Sequence, residues 1–332
     1  MPGLLHTDPQ GVVPRRSGGQ LREGFTIQAR DVCIDHGDIE PIKVGTAIKT
    51  DAGDICSLWE CSDDFACWPN EVSLACGRIG GSNPMVVATD VPGFNFPVYA
   101  DSDSVCAENW SRLGVPCPNT APTIGGATGA CGPCDAPASY VYTYVNADGH
   151  EGPPSPASAQ VMVNDTGGAT ISGFASPPTG YNVTTIRVYR TLSQGVAADA
   201  PGQPGHGWFL VDEVAVGGTA TDGGVGEGCD MLVSQTWIEP PADLTCIAEG
   251  QQGSLAGTMA SDPFMLLISE PGVPHAWPGD FDLCLKDEIR AIVEYDRDWY
   301  VLTDGHPYYI QVTRTATGPS YTVYRHTESL PI

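Results

Sequence analysis

The sequence predicts an all-β protein. Strand-like runs recur along it: "YVYTYV", "TTIRVYRT", "WFLVDEVAV", "FMLLIS", "EIRAIVEY", "DWYVLT", "PYYIQVT" and "YTVYR" are rich in aromatic and β-branched residues. Gly, Pro, Asn or Asp punctuates between them, and Gly (40) and Pro (29) together make about a fifth of the 332 residues. Helical periodicity is scarce, because Gly or Pro interrupts most windows with apolar residues at i, i+3, i+4 and i+7. A hydrophobic fraction of 41% is enough to build cores, and the length suits two or three domains.

Residues 1–120 read as a cysteine-rich, turn-rich β segment with weak strands in "GFTIQARDVCI", "PIKVGTAIKT" and "NPMVVATDV". A Pro/Gly linker over 121–134 follows and contains Cys131-Gly-Pro-Cys134. Residues 135–240 read as a β-sandwich. Tyr140, Tyr142 and Tyr144 alternate with Val141, Thr143 and Val145, so the tyrosines share a core-facing side and the other side is half-buried. Val188 is expected on an adjacent strand. The phrase order resembles a fibronectin type III-like domain that has been permuted. "YVYTYVNADGHEGPPSPAS" (140–158), with its closing proline-rich turn, precedes "IRVYRT" (186–191), "WFLVDEV" (208–214) and "TATD" (219–222).

Residues 241–332 hold two propeller-blade-like phrases, 242–278 and 287–312. Each opens on an apolar pair, Leu244/Ile247 and Ile289/Ile292, and the starts lie 45 residues apart. Two blades cannot close a propeller, which needs at least four. The phrases therefore predict either an open remnant or completion by a neighbouring chain.

The formal net charge is −25, from 15 Lys+Arg against 40 Asp+Glu. Such a surface repels phosphate and argues against specific nucleic-acid binding. The N-terminus has no basic start followed by an apolar run, and no stretch approaches the roughly 20 apolar residues of a membrane helix. Synthesis in a cytosol is the expectation.

Twelve cysteines sit awkwardly with that compartment. Nine precede residue 135: Cys33, Cys56, Cys61, Cys67, Cys76, Cys106, Cys117, Cys131 and Cys134. They are disulfide candidates. Thioredoxin chemistry at Cys131/Cys134 would need a helix after the first thiol, whereas Asp135, Ala136, Pro137 and then a strand follow. The tetrapeptide reads as a joint. Zinc on Cys33 and His36, with Cys131 and Cys134 as a second pair, is an alternative, although the spacing of Cys56, Cys61, Cys67 and Cys76 fits no standard knuckle.

No G-x-S-x-G elbow, H-E-x-x-H, phosphate loop or dinucleotide fingerprint occurs. Acid pairs such as Asp101/Asp103 and Asp280/Asp282 are numerous by composition alone, and "DSDS" lacks the remaining ligands of a calcium loop. His275 and His306 each neighbour a proline, where a packed or solvent-facing ring is the expectation. The sequence predicts no enzyme, cofactor or metal.

Several phrases, in order, carry a family resemblance. They are "RLGVPCPNTAPT" (112–123), "YVYTYVNADGHEGPPSPAS" (140–158), "IRVYRT" (186–191), "EPPADL" (239–244), "ISEPGVPHAWP" (268–278) and "YVLTDGHPYYI" (300–310). Together they resemble tailed-bacteriophage virion proteins of the tail nozzle, tail-hub or neck. The resemblance implies a β-rich chain with propeller-like modules, built as a homo-oligomeric ring around the DNA channel. Its partners would be its own copies and neighbouring tail, neck or portal proteins. DNA would pass without specific binding, no membrane would be involved, and the chain would end in the virion. Thiols brought together during assembly would oxidise after lysis and lock the particle. The rival expectation is an adhesin or carbohydrate-binding decoration, which an exposed aromatic cluster would favour. A thiol-redox or glycan-cleaving enzyme ranks third.

Overall fold

A computed structural model describes residues 11–12, 25–26, 32–35, 38–41, 57–60, 65–68, 72–77, 85–101, 105, 109–126, 136–163, 168–191, 207–223, 230–250, 253–295, 298–315 and 318–326. Among them the regular elements are β-strands and short 3-10 turns, so the all-β expectation holds. No helix among them is long and apolar enough to cross a membrane.

The backbone divides into two compact units, Met1–Gly53 and Asp54–Ile332. In the first, β1 (Gly11–Val12) pairs in parallel with β2 (Phe25–Thr26), and β3 (Val32–Asp35) forms a hairpin with β4 (Asp38–Pro41). The boundary expected near residue 120 lies inside the second unit.

The second unit opens with a hairpin of β5 (Ser57–Glu60) and β6 (Phe65–Trp68). A four-stranded antiparallel meander follows: β7 (Ser73–Gly77), β8 (Met85–Thr89), β9 (Val98–Asp101) and β10 (Ser111–Arg112). Its β8 is buried at every position, because both sheet faces are covered. On one side lie Trp68, Val72, Val91 and Val105, packed with Val86, Ala88 and Val98. On the other lie Leu244, Ile247, Leu255, Leu267 and Trp277.

Next come β11 (Thr123–Gly125), β12 (Ala136–Ala138), β13 (Tyr140–Asn146), β14 (Val161–Val163), β15 (Ala169–Ser172), β16 (Val183–Thr191), β17 (Trp208–Ala215) and β18 (Ala220–Asp222). They build a sheet β13–β16–β17, a sheet β11–β15–β18 and a pair β12–β14. The two sheets enclose one core of Tyr140, Tyr142, Tyr144, Ile171, Ile186, Val188 and Ala220. The tyrosines share its face as expected, and Tyr142 pairs with Val188 across the strands. Tyr142 lies edge-on to Tyr144 at 5.8 Å and to Phe174 at 4.9 Å. Residues 123–125, read as linker, are instead the edge strand β11, because Thr123, Ile124 and Gly125 pair with Ser172, Ile171 and Thr170.

Two further features of β13 differ from expectation. The side carrying Val141, Thr143 and Val145 is buried rather than half-buried, with Val141 packed against Tyr189, Trp208 and Leu232. The proline-rich stretch after it is no simple turn. Gly152, Ser155 and Ser158 donate their backbone N–H groups to the carbonyls of Tyr144, Tyr142 and Tyr140 at 2.8–2.9 Å. The hydroxyls of Ser155 and Ser158 accept from the backbone N–H groups of Tyr142 and Tyr140. A donor every third residue is the period of a polyproline helix, which lets a proline-rich segment cover a strand edge that Pro cannot pair within a ladder.

Two more antiparallel meanders complete the unit. One is β19 (Leu244–Glu249), β20 (Leu255–Met259), β21 (Met265–Ile268) and β22 (Leu283–Cys284); the other is β23 (Ile289–Tyr295), β24 (Asp298–Thr303), β25 (Tyr308–Thr315) and β26 (Gly318–Arg325). Strand β19 runs beside β7 on one side and β23 on the other. Three meanders therefore stack face to face by their first strands, where the sequence showed two. Trp299, Val301, Tyr308 and Ile310 of the last meander bury against Ala256, Leu266 and Ile268 of the one before.

The sandwich core contains one ion pair, Arg190 Nη1 to Asp222 Oδ2 at 2.7 Å, and Tyr140 donates its hydroxyl to the same oxygen at 2.7 Å. Both charged side chains are almost wholly buried. Removing one partner from such a site leaves the other charge desolvated and costs about 3–5 kcal/mol. We expect Asp222→Ala to lose that much stability in urea denaturation. Tyr140→Phe should lose about 1 kcal/mol, and Arg190→Met/Asp222→Leu should recover most of the loss from Asp222→Ala.

Candidate functional site

Four loop phrases of the second unit converge on one place: 112–118, 146–154, 237–241 and 270–277. All four belong to, or adjoin, the phrases that carry the family resemblance.

The turn 146–150 begins at the end of β13. Asn146 Oδ1 accepts from the backbone N–H groups of Asp148 at 3.0 Å and His150 at 2.8 Å, as Asn does in local turns. This brings the His150 ring under Tyr99 of β9, with centroids 5.1 Å apart. The loop 270–277 is pinned by Glu270 N–H to Ala276 O at 2.8 Å, Trp277 N–H to Ile238 O at 3.0 Å, and Trp277 Nε1 to Pro274 O at 3.0 Å. It delivers His275 onto His150, with centroids 4.4 Å apart and planes 9° from parallel. Trp237 closes the far side edge-on at 5.8 Å.

The polar atoms here are mostly paired. Tyr99 donates its hydroxyl to the Asp148 carboxylate and accepts from Asn146 Nδ2 at 3.2 Å. Asn146 Nδ2 also lies 3.4 Å from His150 Nδ1, which assigns Nδ1 as acceptor and Nε2 as the protonated nitrogen. Neither ring nitrogen of His275 makes a full hydrogen bond, although the Glu151 backbone lies near enough to oppose the lowering of its pKa. Burial pushes His275 down to about 3, and the neighbouring His150 adds to the shift. Burial also lowers His150, against the pull of the Asp148 charge. Burial and the Asp148 carboxylate push the Tyr99 phenol well above its ordinary value.

Two glycines are required by close approach. A Cβ on Gly152 would sit 2.8 Å from Val115 Cγ1 and 2.9 Å from Val115 O. Gly114, at φ +99°, would place one 2.7 Å from Pro240 Cδ. Beside them Arg112 lies over the rings of Tyr181 (4.1 Å) and Phe96 (4.5 Å) and 3.8 Å from Glu239. Tyr181 donates to Glu239 at 2.8 Å, and burial with that bond raises its phenol to about 12. The convergence is a packed joint between the sandwich loops and the meanders.

Stacked imidazoles cannot aim their lone pairs at one ion. Among the described residues no group of three or more His, Cys, Asp or Glu is placed to hold a metal. Of the nine disulfide candidates, Cys56, Cys61, Cys106, Cys131 and Cys134 lie outside the described residues. Cys33, Cys67 and Cys76 stand in β3, β6 and β7, with side chains outside that description. Cys117 is described, and it is an exposed free thiol. Its Sγ lies 3.2 Å from Pro154 O and 3.3 Å from Pro118 O, either of which can accept its one proton, and partial desolvation of the sulfur together with the Glu239 charge raises its pKa. A thiol held protonated in this way exchanges slowly.

Every arginine whose side chain is described lies against a carboxylate: Arg112, Arg187, Arg190, Arg290 and Arg325. The described arginines thus neutralise acids rather than form a basic patch. His306 sits in a turn whose backbone N–H faces Asp287 at 3.4 Å, and that carboxylate also accepts from Tyr308 and Arg325. Sequence reasoning left His275 as either a packed or a solvent-facing ring, and it missed Tyr99, Asn146, His150 and Trp237. The available signal was the pair of resemblance phrases "NADGHEGPP" and "PGVPHAWP", whose shared features are turn residues and one histidine each. No protein-family model matches the chain, and no curated protein matches it.

The histidine pair makes the joint sensitive to acid. Both pKa values are lowered on folding, so the unfolded chain binds more protons below about 6.5. Stability is full above that pH and is lost as pH falls toward about 3. His275 contributes a slope of up to about 1.4 kcal/mol per pH unit in this window, and His150 adds to it in the same direction. We expect urea midpoints to fall between pH 7 and pH 5. His275→Phe should keep stability at pH 7 and flatten that slope. An unchanged slope would show that the stacked pair does not set it.

Proposed function

We propose that the chain is a non-enzymatic structural subunit of a tailed-phage particle, forming an oligomeric ring around the DNA channel at the tail or neck. The observation that carries this reading is the joint. The phrases that resemble phage tail nozzle, hub and neck proteins serve here to lock sheets together, and none of them assembles a catalytic constellation. In this reading the three stacked meanders act as consecutive propeller blades, with β7, β19 and β23 as their inner strands, and β11–β18 act as a permuted fibronectin-like sandwich. Blades in an open stack leave a face and strand edges for a neighbour to complete.

The charge supports the same role. A surplus of 25 negative charges, with the described arginines already paired, suits a wall past which phosphate must slide without sticking. Disulfides among the cysteines before residue 135 would lock such a ring after lysis.

The deciding measurement is the position and copy number of the chain in purified particles, by cryo-electron microscopy with charge mapped on the lumen. A ring on the axis with acid facing the channel is expected. Isolated monomers on the outer surface would replace the channel role with the decoration reading.

A further inference from the structure

No asparagine in the chain precedes a glycine, whereas aspartate precedes glycine three times, at Asp148-Gly149, Asp222-Gly223 and Asp304-Gly305. Such a pair has a covalent chemistry of its own. The glycine nitrogen attacks the aspartate Cγ. The N–Cγ bond forms, the Cγ–OH bond breaks, and one water leaves as a succinimide ring closes. Water then opens the ring at either carbonyl. Opening at the α-carbonyl transfers the main chain to the side chain and leaves isoaspartate. No enzyme, oxidant or cofactor takes part. Glycine is the favoured successor because no Cβ shields its nitrogen and its backbone reaches the required angles. Two conditions must be met first: the carboxyl must carry the proton that leaves with its oxygen, and it must swing onto the following nitrogen.

All three carboxylates are tied to a donor from a different strand. Asp148 is exposed, and its Oδ2 accepts the hydroxyl of Tyr99 on β9. The Gly149 N–H, the attacking group there, donates to Asn146 O at 3.0 Å. Asp304 is also exposed, and Arg290 on β23 grips it with two nitrogens, Nε to Oδ1 at 2.7 Å and Nη2 to Oδ2 at 2.5 Å. The Gly305 N–H donates to Thr303 Oγ1 at 3.3 Å. Asp222 is buried, and its Oδ2 accepts from Arg190 on β16 and Tyr140 on β13, both at 2.7 Å. Each tie opposes both conditions. A carboxylate that accepts from a guanidinium or a phenol is favoured as the anion, and it gives up those bonds when it rotates toward the glycine. The hydrogen bond from Arg290 indeed holds the Asp304 carboxyl below its ordinary pKa.

We propose that Asp148-Gly149 and Asp304-Gly305 are latent isoaspartate sites, each held closed by one cross-strand donor, Tyr99 for the first and Arg290 for the second. Asp222-Gly223 is closed twice over, by its ion pair and by the burial that keeps water from the ring-opening step. The two exposed sites differ in what guards them. At Asp304 the guard is a charge that favours the carboxylate over the acid. At Asp148 it is a neutral phenol, and a turn that already engages the attacking N–H. Loss of either guard therefore exposes one bond and leaves the other two as they were. The inference does not depend on the phage reading, since it follows from three bonds and the side chains that hold them.

The test is ageing of the full chain in warm neutral buffer with reductant for several weeks, followed by peptide mass spectrometry that counts isoaspartate at each of the three bonds. The same chain unfolded in guanidinium chloride gives the unguarded rates. The unfolded chain should accumulate isoaspartate at all three positions, and the folded chain far less at each. Arg290→Met should speed residue 304 by at least about fivefold and leave residue 148 unchanged. Tyr99→Phe should speed residue 148 and leave residue 304 unchanged, so each variant is the control for the other. Near-UV circular dichroism checks that each variant folds. Tyr99 lies in the joint, and if Tyr99→Phe does not fold, Arg290→Met on the exposed side of β23 carries the test alone. Folded and unfolded chains that isomerise equally fast at 148 and 304 overturn the proposal. So does a folded Arg290→Met that leaves residue 304 at the wild-type rate. A parallel rise at all three bonds in a variant would show that opening of the whole fold sets the rate, and would overturn the assignment of one guard to one bond.

Discussion

Every sheet described in this chain is small, with two to four strands, and each must hide two faces and two edges. That constraint organises the second unit. Backbone groups on an uncovered edge either pair with something or lose hydrogen bonds, and an apolar face left in water forfeits roughly 25 cal/mol per Å². The structure answers with three devices: meanders laid face on face, sandwich sheets closed over a tyrosine core, and a proline-serine segment laid along the free edge of β13. The last is the most specific. A segment with a proline at 153, 154 and 156 cannot join a ladder as a strand, yet Gly152, Ser155 and Ser158 still present a donor at every third residue. The hydroxyls of Ser158 and Ser155 then accept the backbone N–H groups of Tyr140 and Tyr142.

The same constraint explains what was legible in the sequence. Period-two alternation in "YVYTYV" and "IRVYRT" placed the tyrosine face and its pairing with Val188, because alternation reports burial on a strand directly. It underestimated the burial of Val141, Thr143 and Val145, since that depends on Trp208 and Leu232, residues distant in sequence. The meander β7–β10 was read as weak for a related reason. Its β8, "MVVAT", is buried on both faces and so shows no alternation, and β10 is only two residues long. The blade-like period of 45 residues found the last two meanders but not this one, which the sandwich separates from them in the chain.

The joint was legible only as a set of phrases. Turn residues such as Asn146, Gly149 and Pro274 announce loops, and nothing local tells which loops meet. The stacking of His150 on His275 joins residues 125 positions apart, and Tyr99 lies 51 positions before His150. What the phrases share is the absence of chemistry: they supply glycines that permit close approach, prolines that stiffen, and rings that fill. The loops that meet here are therefore built from residues whose work is to fix angles between sheets.

A buried pair of neutral imidazoles is an odd choice for that work, since two apolar rings would fill the space without orphaned nitrogens. Its cost falls on one side. Above about pH 6.5 the rings are neutral and behave as flat, close-packing plates. Below it each proton taken up must be desolvated beside a second ring, so the cost of acid is concentrated at the contact between sandwich and meanders. The tyrosine core holds a charged pair instead, Arg190 with Asp222, in which each charge is met by the other and the carboxylate also accepts the Tyr140 hydroxyl. Protonation of the histidines therefore loads the contact between the sandwich loops and the meanders directly.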